Sequence, residues 1–214
     1  MLKYGKQLTT ARIVLASKSP RRVEILRDKA LLTNLRVVPS AFEENLDKAL
    51  FETPADYVKE YARRKAIDVA EKETEADLII GCDTVVVLDG AIMEKPGSTS
   101  EAIKMISSLS GRSHSVFSGV ALLTKEGCVS LFHTETKVTF IELDIDDIEA
   151  YVETGEPMDK AGGYGIQGVG GCFVEGIQGC FYNVMGFPLN AFCSTFDNLV
   201  QTGKFDFCTP LAPK

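Results

Sequence analysis

The chain has 214 residues, of which 45% are apolar and 25% charged, the proportions of a globular protein long enough to bury a proper core. Its formal net charge of −7 counts against a duplex nucleic-acid surface, which needs a surplus of Lys and Arg, though it leaves room for a local basic pocket. No stretch approaches the ~18 apolar residues needed to span a bilayer, and Met1 to Arg12 holds no apolar core of a secretory signal, so a soluble cytoplasmic protein is expected.

In chain order, Ile13 to Ala16 reads as a buried strand, and Ser17-Lys18-Ser19-Pro20 as a tight loop in which Ser19 caps a helix that Pro20 opens. Leu35 to Val38 reads as a second strand. Thr53 caps a long helix whose Val58, Tyr61, Ala62, Ala66 and Val69 form an apolar stripe. Leu78 to Ile80 and Val85 to Leu88 read as two separate strands, the second turned back by Asp89-Gly90 onto Ala91 to Met93. Ser98 and Glu101 form a capping box before a helix over Ala102 to Leu109. Val116 to Leu123 and Val129 to Phe140 read as long antiparallel strands, and Asp144 caps a helix to Glu153.

A glycine-rich loop follows, Gly155 to Gly171, with a short element at Tyr164 to Ile166. Then come a strand over Cys172 to Ile177, a last helix entered after Pro188, and a loose tail from Gly203. There is no internal repeat and no linker-like break. The mixture predicts an α/β fold with a twisted mixed sheet flanked by helices. Cys82, Cys128, Cys172, Cys180, Cys193 and Cys208 include no C-x-x-C pair, and His114 and His133 lie far apart, so zinc is not expected and buried, reduced thiols are.

Several segments could carry chemistry. Ser17 to Arg22 lies between a strand and a helix, where free N–H groups, hydroxyls and two arginines suit phosphate; the same residues also suit an ordinary capped helix. Asp83, placed just past an apolar strand, could hold Mg²⁺ or orient a water, or could simply turn the chain. Lys65, at the edge of the apolar stripe, and Lys95 could bind phosphate or could reach out to water. Gln167, among Gly162, Gly163, Gly165 and Gly168, offers an amide donor and acceptor suited to a base edge, with Gly165 and Gly168 letting backbone approach the ring; a structural loop is the plain alternative. Glu43 and Glu44 form a carboxylate pair in a polar segment, which solvated surface would also explain.

Taken together these segments resemble the Maf family. The matching blocks are Leu15-Ala16-Ser17-Lys18-Ser19-Pro20-Arg21-Arg22, Gly81-Cys82-Asp83-Thr84-Val85-Val86, Glu94-Lys95-Pro96 and Leu109-Ser110-Gly111-Arg112-Ser113-His114. Gly155-Glu156-Pro157-Met158-Asp159-Lys160, Gly163-Tyr164-Gly165-Ile166-Gln167-Gly168 and Gly186-Phe187-Pro188-Leu189 continue them in the family's order. The resemblance implies two lobes around a deep cleft, of the inosine-triphosphate-pyrophosphatase-like type. Its domain would span 12–202, with an extension at 1–11 and a tail at 203–214.

It also implies cleavage of nucleoside triphosphates between the α and β phosphates, giving a monophosphate and pyrophosphate. Asp83 would accept the attacking water's proton, with Lys65 and Lys95 supporting catalysis. Glu44 and Asp83 would hold a divalent Mg²⁺ or Mn²⁺, and Ser17, Arg21 and Arg22 would meet the phosphates. Arg21, Thr84 and Gln167 match the positions that separate pyrimidine from 7-methylguanine substrates, and carry the pyrimidine set: dTTP, UTP and forms such as 5-methyl-UTP or pseudo-UTP. The expected partner is this small-molecule substrate, with a homodimer as the assembly. The alternatives are the same chemistry on 7-methyl-GTP or an inosine nucleotide, or a non-catalytic regulator of cell division.

Overall fold

A computed structural model describes residues 1–207, so Cys208 and the tail 208–214 lie outside the described residues. The chain opens with a short helix α1 (Gly5–Leu8) and enters the sheet at β1 (Ile13–Ala16). Pro20, with no N–H to give a strand ladder, starts α2 (Pro20–Glu24), which runs on as a π-turn, Ile25–Lys29. β2 (Arg36–Val37), α3 (Pro54–Ala70), β3 (Leu78–Leu88) and β4 (Ala91–Met93) follow. Then come α4 (Thr99–Leu109), β5 (Ser113–Thr124), β6 (Gly127–Phe140), α5 (Ile145–Glu153), β7 (Val174–Gln178), α6 (Phe181–Val184) and α7 (Leu189–Gln201).

Most boundaries agree with the sequence to within a few residues, because the caps set them. Thr53 Oγ1 accepts from Asp56 N at 3.2 Å and Ser98 Oγ from Glu101 N at 3.2 Å. Asp89 (φ 51°) and Gly90 (φ 81°) make the β3–β4 turn in the left-handed region, as Asp-Gly predicts.

The described strands form one mixed sheet in the order β2-β1-β3-β5-β6-β7, with β4 also on β3. β1 runs parallel to β2 and β3, and the remaining pairs are antiparallel. Leu78–Leu88 is a single strand, not the two expected. Gly81 and Asp83 are poor strand formers, but β5 pairs with β3 continuously from Ile79 to Val87 and overrides them. On its other edge, β3 meets β1 only from Leu78 to Gly81 and β4 only from Val86 to Leu88. Cys82 to Val85 therefore has an open edge between the end of β1 and the start of β4.

Two main cores flank this gap. Leu15, Ile80, Cys82, Val120, Phe187 and Phe192 pack with the helices of the first lobe, and Val86, Ile106, Val116, Phe140, Ile148 and Tyr151 form the second. α3 covers the opposite face, where Ala62, Ala66 and Val69 meet Ile79 and Ala121. The region from Gly203 is not uniformly loose: Phe205 is buried and its ring packs against those of Phe196 and Phe207. Leu8 and Ala11 of the first eleven residues are buried in the same core. Tyr164 to Ile166 forms no regular element, lying between short 3₁₀ turns at Ala161–Gly163 and Val169–Phe173. The thiols depart from expectation too. Cys82 is buried, Cys180 and Cys193 are half-buried, and Cys128 and Cys172 are exposed, none of the five in a disulfide.

Candidate active site

A cleft of about 670 Å³ opens at the free edge of β3 and is lined by both lobes, a size suited to a small-molecule ligand. Asp83 does not lie past the end of its own strand, as the sequence suggested. It sits in the middle of β3, just beyond the last residue paired with β1. Side chains alternate along a strand, so Asp83 shares its face with Ile79 and Val85 and faces α3, while Thr84 turns to the other face. Both line the cleft because the edge beside them is open.

On α3, Lys65 falls inside the stripe made by Val58, Tyr61, Ala62, Ala66 and Val69 and is only 7% exposed. It does not reach out to water. Its Nζ donates to Asp83 Oδ1 at 2.7 Å and lies 2.8 Å from Glu44 Oε1. Burial works against the Lys65 charge, but Asp83 and Glu44 outweigh it, and against Arg22's opposition they hold the lysine above its usual pKa. Burial likewise presses the Glu44 carboxyl upward, yet Lys65, Lys95 and Arg22 hold it below the usual carboxylate range.

Both carboxylates named from sequence line the cleft, and of the two it is Glu44 that meets Lys65. Glu43 instead accepts from the Asn45 amide at 2.8 Å. Glu44's segment is held by Tyr61, whose hydroxyl accepts from Leu46 N at 2.9 Å, and by Asp68, which accepts from Ala41 N at 2.7 Å.

Arg22 ties three segments together. Its Nη1 donates to Ser17 Oγ at 3.0 Å, Nη2 to Thr84 Oγ1 at 3.0 Å and Nε to the Gly186 carbonyl at 2.9 Å. Gly186 has φ 110°, a conformation other residues rarely adopt, which turns this carbonyl inward. Ser17 Oγ also accepts from Ser19 N at 3.2 Å, so the loop is held from within. Thr84 Oγ1 lies 2.8 Å from Ser118 Oγ. Arg21 points elsewhere: its Nη1 lies 2.8 Å from Asp159 Oδ2 across the cleft. Lys95 and Gln167 line the cleft and are exposed, with no side-chain hydrogen bond or ion pair among the described residues.

Gly165 and Gly168 make room for two neighbouring side chains. A Cβ on Gly165 would fall 2.5 Å from Lys160 Cε, and one on Gly168 would fall 2.5 Å from the Glu156 carboxylate. Glu94, Tyr61 and Asp159 were named from sequence only as stripe or motif residues, without a role at the site, yet all line the cleft. Glu94 accepts from the Tyr57 hydroxyl at 2.6 Å. The signal for Tyr61 was its place in the same stripe as Lys65, one turn earlier.

The donor set fits a divalent cation that its ligand completes. Glu44 and Asp83 already converge on one positive group, and Asp83 Oδ2 has no partner among the described residues. Among the described residues, no group of three or more Asp, Glu, His or Cys forms a cage there. Hard oxygens from one or two carboxylates plus phosphates are the usual surroundings of Mg²⁺.

Fold and site therefore define an α/β protein with a sheet-edge cleft suited to an anionic small-molecule ligand. The chain belongs to the Maf family, whose model, described as a Maf-like protein, matches residues 12–199. It is 50% identical over 199 residues to the probable bifunctional dTTP/UTP pyrophosphatase/methyltransferase protein of Homo sapiens, covering 87% of this chain and 32% of that one. It is 47% identical over 188 residues to a dTTP/UTP pyrophosphatase of Clostridium perfringens, covering 87% and 96%. To a dTTP/UTP pyrophosphatase of Thermococcus kodakarensis it is 47% identical over 179 residues, covering 83% and 91%. The chain thus spans about a third of the human relative and nearly all of the two microbial ones.

Proposed function

We propose that the protein hydrolyses pyrimidine nucleoside triphosphates, dTTP, UTP and modified uridine forms, to the monophosphate and pyrophosphate. One observation carries this reading: the Glu44–Lys65–Asp83 cluster and the loop Ser17 to Arg22 line a single cleft. Relatives 47–50% identical are named for dTTP/UTP pyrophosphatase activity, which supports the choice of substrate.

A nucleoside triphosphate brings about four negative charges, and its hydrolysis is catalysed chiefly by positioning and charge. Mg²⁺ or Mn²⁺, held by Glu44, Asp83 and the phosphates, would supply positive charge at the reacting phosphorus. Asp83 orients the attacking water and takes its proton, while Lys65 fixes the carboxylate through Oδ1. Lys95, unpaired in the cleft, meets the phosphates, and Arg22 keeps Ser17 and the loop in place for them. Gln167 reads the base edge with its amide, beside Arg21 and Thr84.

A homodimer in the cytoplasm completes the proposal, and sedimentation velocity distinguishes one chain from two. No helix among the described residues is long and apolar enough to cross a membrane.

Ion-chromatographic product analysis on canonical and modified triphosphates is the direct test. Pyrophosphate and UMP are expected from UTP, with activity lost on chelation and restored by Mg²⁺ or Mn²⁺. UTP and dTTP should exceed ATP and GTP by at least ~10-fold in kcat/KM, about 1.4 kcal/mol. Orthophosphate as the primary product overturns the assignment of the cleaved bond.

A further inference from the structure

Arg21 and Asp159 come from opposite sides of the cleft, 138 positions apart in sequence. Arg21 Nη1 donates to Asp159 Oδ2 at 2.8 Å, and Nη2 donates to the Asp159 backbone oxygen at 3.2 Å. Two bonds to one residue fix the plane of the guanidinium as well as its position.

The contacts continue beyond the pair. Asp159 Oδ1 accepts from Lys160 Nζ at 2.7 Å, and the same ammonium donates to the Glu156 carbonyl at 2.7 Å. The Glu156 carboxylate accepts from Val169 N at 3.1 Å, Gly170 N at 3.3 Å and the Tyr151 hydroxyl at 2.9 Å. The Lys160 stem lies against Gly165, and the Glu156 carboxylate against Gly168. An unbroken run of contacts thus joins Arg21 to the loop that carries Gln167.

We propose that Asp159 is a specificity-determining positioning residue: by holding Arg21 it fixes that guanidinium, and with it the Gln167 loop, in register across the cleft. This rests on the reading above, in which Arg21 and Gln167 select a pyrimidine base. The chemistry favours a base over a phosphate as Arg21's ligand. Its charge is already matched by Asp159, whose own carboxylate repels phosphate. Two of the five guanidinium N–H donors are used, and the other three suit the neutral carbonyl oxygens of uracil or thymine. Freed from Asp159, Arg21 would become an unpaired cation, which attracts any triphosphate without regard to its base.

Asp159→Asn tests this, because it removes the charge while keeping size and the backbone carbonyl. The UTP:GTP ratio of kcat/KM should fall at least ~5-fold, mainly through KM and not kcat, since the site loses orientation and not its reacting groups. Asp159→Glu should recover part of the ratio. In an Arg21→Gln background, Asp159→Asn should change the ratio no further, because coupled residues are not additive. An unchanged ratio in Asp159→Asn, or an equal loss in both backgrounds, overturns the proposal. So does a uniform drop on all triphosphates that follows the melting temperature. A wild type without pyrimidine preference removes the parent reading along with this one, whereas the other outcomes remove this one alone.

Discussion

Lys65 Nζ donates to Asp83 Oδ1 at 2.7 Å from a helix packed so closely on the sheet that Gly81, two residues before Asp83, has no room for a Cβ. The closeness of α3 and β3 brings the ammonium to the carboxylate and shuts most water out. The pair is therefore a property of packing as much as of charge.

Asp83→Asn should lower kcat by ~10²-fold or more, the scale of losing a general base. The amide cannot take the water's proton and offers a cation no net charge. It can still accept from Lys65, which keeps Glu44 as a charged partner, so the fold should persist. Steady-state kinetics with circular dichroism checks both halves. Wild-type turnover would remove Asp83 from the mechanism.

Gly81→Ala should destabilise the protein through sterics alone. The new methyl would overlap the Ala62 carbonyl oxygen, a backbone atom that can move only if α3 moves. We expect a loss of ~3 kcal/mol or more and a melting temperature lower by about 6–12 °C. Because Ala62 is one turn before Lys65, kcat should fall as well. A melting curve matching the wild type would show that α3 is not seated this tightly.

Tyr61→Phe addresses Glu44. The lost hydroxyl no longer accepts from Leu46 N, so the segment bearing Glu44 is held less firmly. The cost should be about 1 kcal/mol, equivalent to a roughly five-fold rise in the Mg²⁺ concentration giving half-maximal rate. Titration of activity with Mg²⁺ reads this. An unshifted midpoint would mean that Tyr61 does not position Glu44.

Gln167→Glu converts an amide donor into a group that only accepts, while leaving its exposed backbone site undisturbed. The UTP:GTP ratio of kcat/KM should fall by ~10-fold with little change in melting temperature, the scale of one mismatched hydrogen bond. A ratio that stays at the wild-type value would show that Gln167 is not a base reader.

His114 gives a pH signature. It is 3% exposed, shares a 2.8 Å hydrogen bond with the Tyr164 hydroxyl, and burial pushes its pKa down from 6.5 to about 4. Between those values the unfolded chain takes up a proton that the folded protein refuses. Stability should therefore fall as pH drops from about 6.5, with a slope approaching ~1.4 kcal/mol per pH unit from this group, and its contribution should level off below about 4. Urea unfolding of wild type and His114→Gln between pH 7 and 4.5 isolates the effect. Parallel stability curves would exclude His114 as its source.

Local chemistry made much of the fold legible, and the resemblance of the motifs pointed to many site residues. Ser19, Thr53, Ser98 and Asp144 mark helix starts through their own caps, and Asp89-Gly90 carries its turn. The motif residues Ser17, Arg22, Asp83, Thr84, Lys95 and Gln167 all reach one cleft, as does Glu44. The periodicity that placed Val58, Ala62, Ala66 and Val69 on one face also placed Lys65 inside that stripe. A lysine there calls for a carboxylate in the facing strand, which Asp83 supplies.

What the sequence by itself determined was the set of elements with their caps and turns, which follow from bonds within a few positions of the chain, and, through the resemblance of its motifs, the residue types brought to the cleft. Only the tertiary structure decided that β3 is continuous, since nine residues of pairing with β5 outweigh the weak strand preference of Gly81 and Asp83. It alone opened an edge at Cys82 to Val85, where β1 stops before β4 begins. It alone turned Arg21 to Asp159 rather than to the loop beside it, and gave Gly165 and Gly168 to Lys160 and Glu156. Those contacts join residues far apart in sequence, and local propensity carries no information about which distant groups the packed lobes will bring within hydrogen-bond reach.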